Sequence, residues 1–211
     1  MRPTGKNPPQ DKQTANYPDV AFFDLDYTVW PCYCDTHLSP PFKPIATEKQ
    51  QKNGIVTRVV DSYGYELEYF PDIPRILIDL HKNGVKLVTA SRTWAPNIAI
   101  ELLHMFTIQI EDGATSNAPN NIISLYDIFD AFQWGDHSKQ HHINNALNEL
   151  YPTVDGDNNK EKKKNNLRVV LFDDERRNIE VEKRKGCKFV FVKNPDEGLT
   201  WEIYQEYLKS L

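Results

Sequence analysis

The chain has 211 residues, 39% of them hydrophobic, with 25 Lys and Arg against 30 Asp and Glu for a formal charge of −5. That length is one domain's worth of chain, and a folded body of about 150 residues buries roughly 70% of its unfolded surface. The acidic balance excludes a global attraction to nucleic acid or anionic lipid. Three cysteines are too few for a disulfide framework, and no run reaches the ~18 apolar residues of a membrane span. The expectation is a protein of the cytoplasm, with the nucleus as a second compartment. It carries reduced thiols, needs no nucleic-acid or membrane partner, and can work as a monomer.

Residues 1–17 are built from Pro, Gly, Asn, Gln, Lys and Thr with little to bury, which predicts a flexible tail ahead of a single domain over residues 18–211. Val20–Asp26 (VAFFDLD) then opens the domain as a continuous apolar run ending in acids. After it, residues 31–70 show no clear helix. Pro31, Pro40, Pro41 and Pro44 enforce extended or turning backbone, which predicts a small hairpin or irregular flap. Trp30 is expected at the mouth of any site beneath that flap. The aromatic stretch Tyr63–Phe70 is expected to cover the core, with stacking on an aromatic substrate ring as the alternative.

A helix over Ile73–His81 places Ile73, Ile76, Leu77 and Leu80 on one face, with Pro74 in its first turn. Val85–Ser91 is the second apolar strand, followed by a helix at Pro96–Met105. A weaker strand covers Phe129–Trp134, and Ser138–Leu150 is helical. Asp155–Asn166 (DGDNNKEKKKNN) is a polar surface loop. Leu167–Asp174 is the strongest strand, with a short helix at Asn178–Lys185. A last strand at Cys187–Val192 and a helix at Glu197–Leu208 close the chain. Continuous hydrophobicity marks strands buried on both faces, as in a parallel sheet. The predicted fold is therefore α/β, a Rossmann-like parallel sheet of about five strands flanked by helices. It has a flap after the first strand and no large cap domain.

Each strand end carries chemistry. The first ends in Asp24-Leu25-Asp26, the second in Ser91-Arg92-Thr93, the fourth in Asp173-Asp174-Glu175. Parallel strands bring these clusters to one sheet edge, where the carboxylates repel unless a cation neutralises them. An all-oxygen donor set suits Mg²⁺. A turn starting at Leu25 directs Asp24 to metal and substrate, while Asp26 offers its carbonyl to the metal and its carboxyl to proton transfer. Asp24 then attacks phosphorus and forms an aspartyl-phosphate. Asp26 protonates the leaving oxygen and afterwards activates water. Leu25, Ser91, Arg92 and Lys139 are the candidate substrate-binding residues, with His141 as an alternative cation for Lys139. Asp24, Asp26 and the Asp173–Asp174 pair supply the candidate metal ligands.

FFDLDYTVWP, followed by DTH, PPF, TASRT and FDDERRNI, resembles the magnesium-dependent phosphatase-1 family of the haloacid dehalogenase superfamily over residues 20–195. The resemblance implies Asp24 as the phosphorylated aspartate and Asp26 as the acid/base. It further implies Ser91 as the second-motif hydroxyl with Arg92 beside it, Lys139 as the third-motif lysine, and Asp174 as the fourth-motif metal ligand. Asp173 and Asn178 become supporting residues. The implied activity is Mg²⁺-dependent hydrolysis of a phosphorylated small molecule or phosphoprotein, with phosphotyrosine-like or phosphosugar substrates suiting an open site. The alternatives are a phosphopeptide-binding or scaffolding protein on the same fold, or a related phosphotransferase. Cys32 and Cys34 lack companions at zinc spacing and read as incidental apart from a redox sensitivity; Trp94, Trp134 and Trp201 read as packing residues.

Overall fold

The computed structural model describes residues 17–45, 47, 53–110, 121–152, 164 and 166–211. Of the tail expected over residues 1–17, residues 1–16 lie outside them, as does most of the polar loop 155–166; Tyr17 is half-buried and donates its hydroxyl to Asp79 Oδ2 at 3.0 Å, so it belongs to the folded body. Five strands form a parallel sheet in the order β10-β9-β1-β5-β8: β1 is Val20–Phe23, β5 Lys86–Ala90, β8 Ala131–Gln133, β9 Val169–Asp173 and β10 Cys187–Phe191. All five fall within the apolar runs that predicted them. Strands β1 and β9 are buried at every residue, β1 as Val-Ala-Phe-Phe and β9 as Val-Val-Leu-Phe-Asp. That double burial is why they read as unbroken apolar runs rather than as alternations.

The strand period of two sorts these side chains between two cores. Ala21 and Phe23 face one core with helices α2 (Ile73–Lys82), α3 (Pro96–Met105) and α6 (Trp201–Lys209). Val20 and Phe22 face the other, against Ile143, Ala146 and Leu147 of α5 (Lys139–Leu150) and Val181 of a 3-10 helix at Arg176–Lys183. Helices on both faces of a parallel sheet complete the α/β architecture.

Helix boundaries follow local chemistry. Ser138 and Thr200 cap α5 and α6 by accepting from His141 N and Ile203 N. Pro sits in the first turn of α2 and α3, where its missing N–H costs nothing. The charged stretch expected as a helix from Asn178 instead winds as the 3-10 helix from Arg176, and the last helix begins at Trp201 rather than Glu197.

The flap is more ordered than its prolines suggested. A short helix α1 (Cys34–His37) stands where none was expected, followed by an antiparallel sheet of β2 (Lys43–Ile45), β3 (Arg58–Val60) and β4 (Glu66–Glu68). The Asp61 carboxylate ties its tip, accepting from Ser39 N at 3.1 Å, Tyr63 N at 2.9 Å and Tyr65 N at 2.8 Å. Leu67, Tyr69 and Phe70 are buried in the core, while Tyr63 is exposed at the tip. A second small pair, β6 (Thr107–Gln109) with β7 (Ile122–Ser124), and the short helix α4 (Leu125–Ile128) were not anticipated. Gly198 joins the C-terminal segment to the flap: at φ 61° its backbone lies so close to Phe70 that a Cβ would sit 2.0 Å from the ring.

Candidate active site

Sheet register assembles the acids. Phe23 is level with Thr89 on one side and Phe172 on the other, so the next residue on each strand brings Asp24, Ala90 and Asp173 side by side. Beyond β1 the chain turns at once, with Val29 N donating to the Leu25 carbonyl at 2.7 Å and Tyr27 held at φ 55°. The turn breaks strand alternation and lets both aspartates reach the same edge. Leu25 places its side chain in the core, leaving only its backbone to meet a ligand. A cavity of about 200 Å³ opens there, lined by Asp24, Asp26, Ser91, Arg92, Lys139 and Asp174 among others.

Lys139 enters from the first turn of α5 and is fully buried. Its Nζ lies 2.8 Å from Asp24 Oδ1 and 3.0 Å from Asp173 Oδ2, and it also donates to the Ala90 carbonyl. Burial pulls its pKa down, yet Asp24 and Asp173 outweigh that and hold the ammonium above its ordinary value. His141, the alternative cation, is exposed, and its backbone N–H donates to Ser138 Oγ.

Asp24, Asp173 and Asp174 each bring a carboxylate oxygen within 4.8 Å of the others. Burial raises Asp24 well above the usual carboxylate range; Lys139 opposes this, while Asp173 and Asp26 add repulsion. Asp174 is pushed up to about 6 by burial and then by Asp173. Three carboxylates facing one ammonium leave an excess of negative charge that a hard divalent cation satisfies, and all the donors are oxygen. The residues present therefore fit Mg²⁺.

Asp26 lines the same cavity but is not one of the three clustered carboxylates. Its Oδ1 accepts from Trp30 Nε1 at 2.7 Å and from Cys34 N at 3.2 Å. Burial nonetheless pushes its pKa up to about 6, against the pull of those two hydrogen bonds. Trp30 is thus not at the mouth but fully buried, fixing the Asp26 carboxyl. The expected packing residue Trp94 is the one at the mouth, 77% exposed and lining the cavity.

Arg92 is held through the opposite edge. Its Nη2 donates to Asn178 Oδ1 at 2.8 Å, and Asn178 Nδ2 donates to Asp173 Oδ1 at 2.8 Å. Asp173 Oδ1 also accepts from Glu175 N at 2.8 Å. Ser91 is buried at the cavity wall, and its Oγ accepts from Thr93 N at 3.2 Å. Cys32 and Cys34 are buried thiols, Cys32 pushed up to about 12 and Cys34 higher still by burial, which disfavours the reactive thiolate.

The relatives place this geometry in a family. A family model described as Acid Phosphatase matches residues 16–211. A Saccharomyces cerevisiae protein named as a magnesium-dependent phosphatase is 52% identical over 196 residues, 93% of this chain and 98% of that one. The chain belongs to the magnesium-dependent phosphatases of the haloacid dehalogenase superfamily. A haloacid dehalogenase-like hydrolase superfamily protein of Schizosaccharomyces pombe is 35% identical over 180 residues, covering 84% of this chain and 87% of the relative. Human magnesium-dependent phosphatase 1 is 37% identical over 94 residues, 44% of this chain and 48% of that protein. A magnesium-dependent phosphatase built this way keeps its charged machinery on one sheet edge, and the carboxylates of Asp24, Asp173 and Asp174 gather there closely enough to suit a metal ion.

One buried group beside this phosphatase site escaped the sequence reading. His142 is buried, and its Nε2 lies 3.1 Å from the Gly135 carbonyl, which can only accept, so Nε2 carries the proton. The bare Nδ1 finds no hydrogen-bond partner among the described residues. Burial lowers its pKa to about 4, with Lys139, Arg92 and His137 adding repulsion against the Gly135 hydrogen bond. The unfolded chain takes up this proton near pH 6.5 and the folded chain only near 4. Stability is therefore unaffected above pH 6.5 and falls between 6.5 and 4, by about 2 kcal/mol after allowance for solvent screening. Urea titrations across that window should show the acid limb flattened in His142→Gln. An unchanged limb would mean that other groups set the acid sensitivity.

Proposed function

We propose that this chain hydrolyses phosphomonoesters through an aspartyl-phosphate on Asp24, acting on phosphotyrosine-like or phosphosugar substrates. The observation that carries the reading is the pairing of Asp24 with Lys139 inside a cavity that also receives Asp26, poised near pH 6. Mg²⁺ would be held by the Asp24 and Asp174 carboxylates and the Asp26 carbonyl. Asp173, already engaged by Lys139, Asn178 and the Glu175 N–H, supports from behind. When bound, the ion neutralises charge and polarises a phosphoryl oxygen.

The protein groups divide the chemistry. Asp24 attacks phosphorus as the bond to the leaving oxygen breaks, and Asp26 passes its proton to that oxygen. Asp26, now ionised, takes a proton from water as the water oxygen attacks phosphorus. The bond to Asp24 breaks, releasing phosphate and leaving Asp26 protonated for the next turnover. Lys139 keeps the Asp24 carboxylate oriented, while Ser91 and Arg92 hold phosphoryl oxygens. A carboxyl with a pKa near 6 can serve as acid in the first half and as base in the second.

Hydrolysis of para-nitrophenyl phosphate tests the reading together with metal removal. EDTA is expected to abolish turnover, and Mg²⁺ to restore it. At ~100 times its Kd the ion should also stabilise the fold by about 2.7 kcal/mol, read as a rise in Tm. Turnover that persists in EDTA would contradict the reading. A screen of phosphotyrosine peptides against sugar phosphates by kcat/KM then resolves the substrate class.

A further inference from the structure

Proton transfer in the cavity falls to one carboxyl, and a buried tryptophan holds that carboxyl. Asp26 lines the cavity, and its Oδ1 accepts from Trp30 Nε1 at 2.7 Å and from Cys34 N at 3.2 Å. Both N–H donors meet the same oxygen. An oxygen accepting two donors keeps its carbonyl character, so a proton on Asp26 resides on Oδ2.

Trp30 is itself fixed from two sides. It is fully buried, and its ring packs against Phe106 at 6.5 Å, which meets Tyr69 at 5.3 Å. Its backbone N–H donates to the Leu25 carbonyl at 3.2 Å, and its carbonyl accepts from Tyr27 N at 2.7 Å. The turn that brings Asp26 to the cavity therefore also sets the indole against it. No swinging side chain is involved.

A buried indole N–H needs an acceptor, and a backbone carbonyl or a hydroxyl would satisfy it. A carboxyl removed from water is the costlier acceptor. The pairing makes physical sense if the indole serves the carboxyl. The last torsion of an aspartate is broad and poorly defined by its own sterics. One donor on Oδ1 leaves the carboxyl free to turn about that contact, whereas two donors from different segments fix its plane. Without the indole N–H, Cys34 alone would hold Asp26.

Resting on the phosphomonoesterase reading, we propose that Trp30 is a positioning residue for departure of the leaving group. It acts through Asp26: by holding Oδ1 it presents the proton on Oδ2 to the ester oxygen. As Asp24 bonds to phosphorus, the phosphorus–oxygen ester bond breaks. The ester oxygen keeps that electron pair, takes the Oδ2 proton and leaves as a neutral alcohol, with Asp26 ionised. Trp30 touches neither substrate nor phosphorus, and its own proton stays on nitrogen throughout.

The test varies how much the leaving group needs a proton. para-Nitrophenolate departs as a stable anion, whereas an alkoxide must be protonated. para-Nitrobenzyl phosphate differs from para-nitrophenyl phosphate by a methylene, so the pair changes leaving-group basicity at nearly constant size. kcat/KM on each ester, in saturating Mg²⁺, reports cleavage of the ester and not the later attack by water. Trp30→Phe keeps a ring in the core and removes the N–H. It is expected to lose at least ~10-fold more on the benzyl ester than on the phenyl ester. Equal losses on the two esters, the pattern of a merely structural role, overturn the proposal, as does an undiminished benzyl ester rate. A second readout leaves Trp30 in place and needs no turnover. In ¹⁵N-labelled protein the Trp30 Nε1–H signal is expected to move upfield in Asp26→Asn, where a neutral amide replaces the carboxylate acceptor. An unmoved signal overturns the contact and the positioning role with it. Wild type that cleaves neither ester while the signal still moves overturns the phosphomonoesterase reading, and the role resting on it, but not the contact.

Discussion

Lys139→Met is expected to lower folding stability by about 3–5 kcal/mol, measured by urea denaturation in EDTA. Lys139 is a fully buried cation between two carboxylates, 2.8 Å from Asp24 and 3.0 Å from Asp173. Methionine fills a similar volume, so the loss comes from charge rather than from a cavity. Asp24 and Asp173 would face each other without a cation, and the Ala90 carbonyl would lose its donor. Both carboxylates keep their desolvation cost, which is why breaking a buried pair is harsher than replacing the pair whole. Adding Mg²⁺ should recover part of the loss, because the ion meets the same excess of negative charge. A change below about 1 kcal/mol would mean that the buried ammonium is dispensable to the fold.

Asp24→Asn is expected to act in the opposite sense on stability while removing activity. The amide cannot attack phosphorus, so kcat should fall by at least ~10⁴-fold, measured on para-nitrophenyl phosphate. The fold should persist, with stability in EDTA equal to or above wild type. Burial already disfavours the Asp24 carboxylate, and the neutral amide removes its repulsion with Asp173 while Lys139 keeps Asp173 as a partner. Asp24→Asn/Asp26→Asn should be little worse than Asp24→Asn alone, since the two groups serve one reaction coordinate. Losses that multiply would assign the residues to independent steps.

The strands were legible because burial on both faces of β1, β5 and β9 leaves a run of apolar residues that polar helices cannot mimic. Their ends were legible for the same reason, since polar side chains abruptly following such a run must lie at the sheet edge. The two tryptophans were assigned the wrong way round, and the cause is physical. Trp30 follows the nucleophile motif and looks exposed in one dimension, but the tight turn at Leu25 folds it back onto Asp26. Trp94 follows the second strand, and its exposure depends on Asp35 from the flap accepting its backbone N–H, a contact 59 residues away in sequence. The small pair β6–β7 has three residues in each strand and carries too short a pattern to read. Helix α1 hides among prolines for a similar reason, being only four residues long. His142 stands beside His141 in the sequence, where nothing local tells the two apart. Only the position of α5 against the sheet buries it while leaving His141 in solvent.

The most direct test of the mechanism is to trap the intermediate. The protein with Mg²⁺ is mixed with a ³²P-labelled phosphomonoester, quenched in acid within one turnover, digested and mapped. The expected result is acid-stable, hydroxylamine-labile label on the peptide carrying Asp24, absent from Asp24→Asn. Rapid release of labelled phosphate with no label on the protein at any time, or label on a residue other than Asp24, would contradict nucleophilic attack by Asp24.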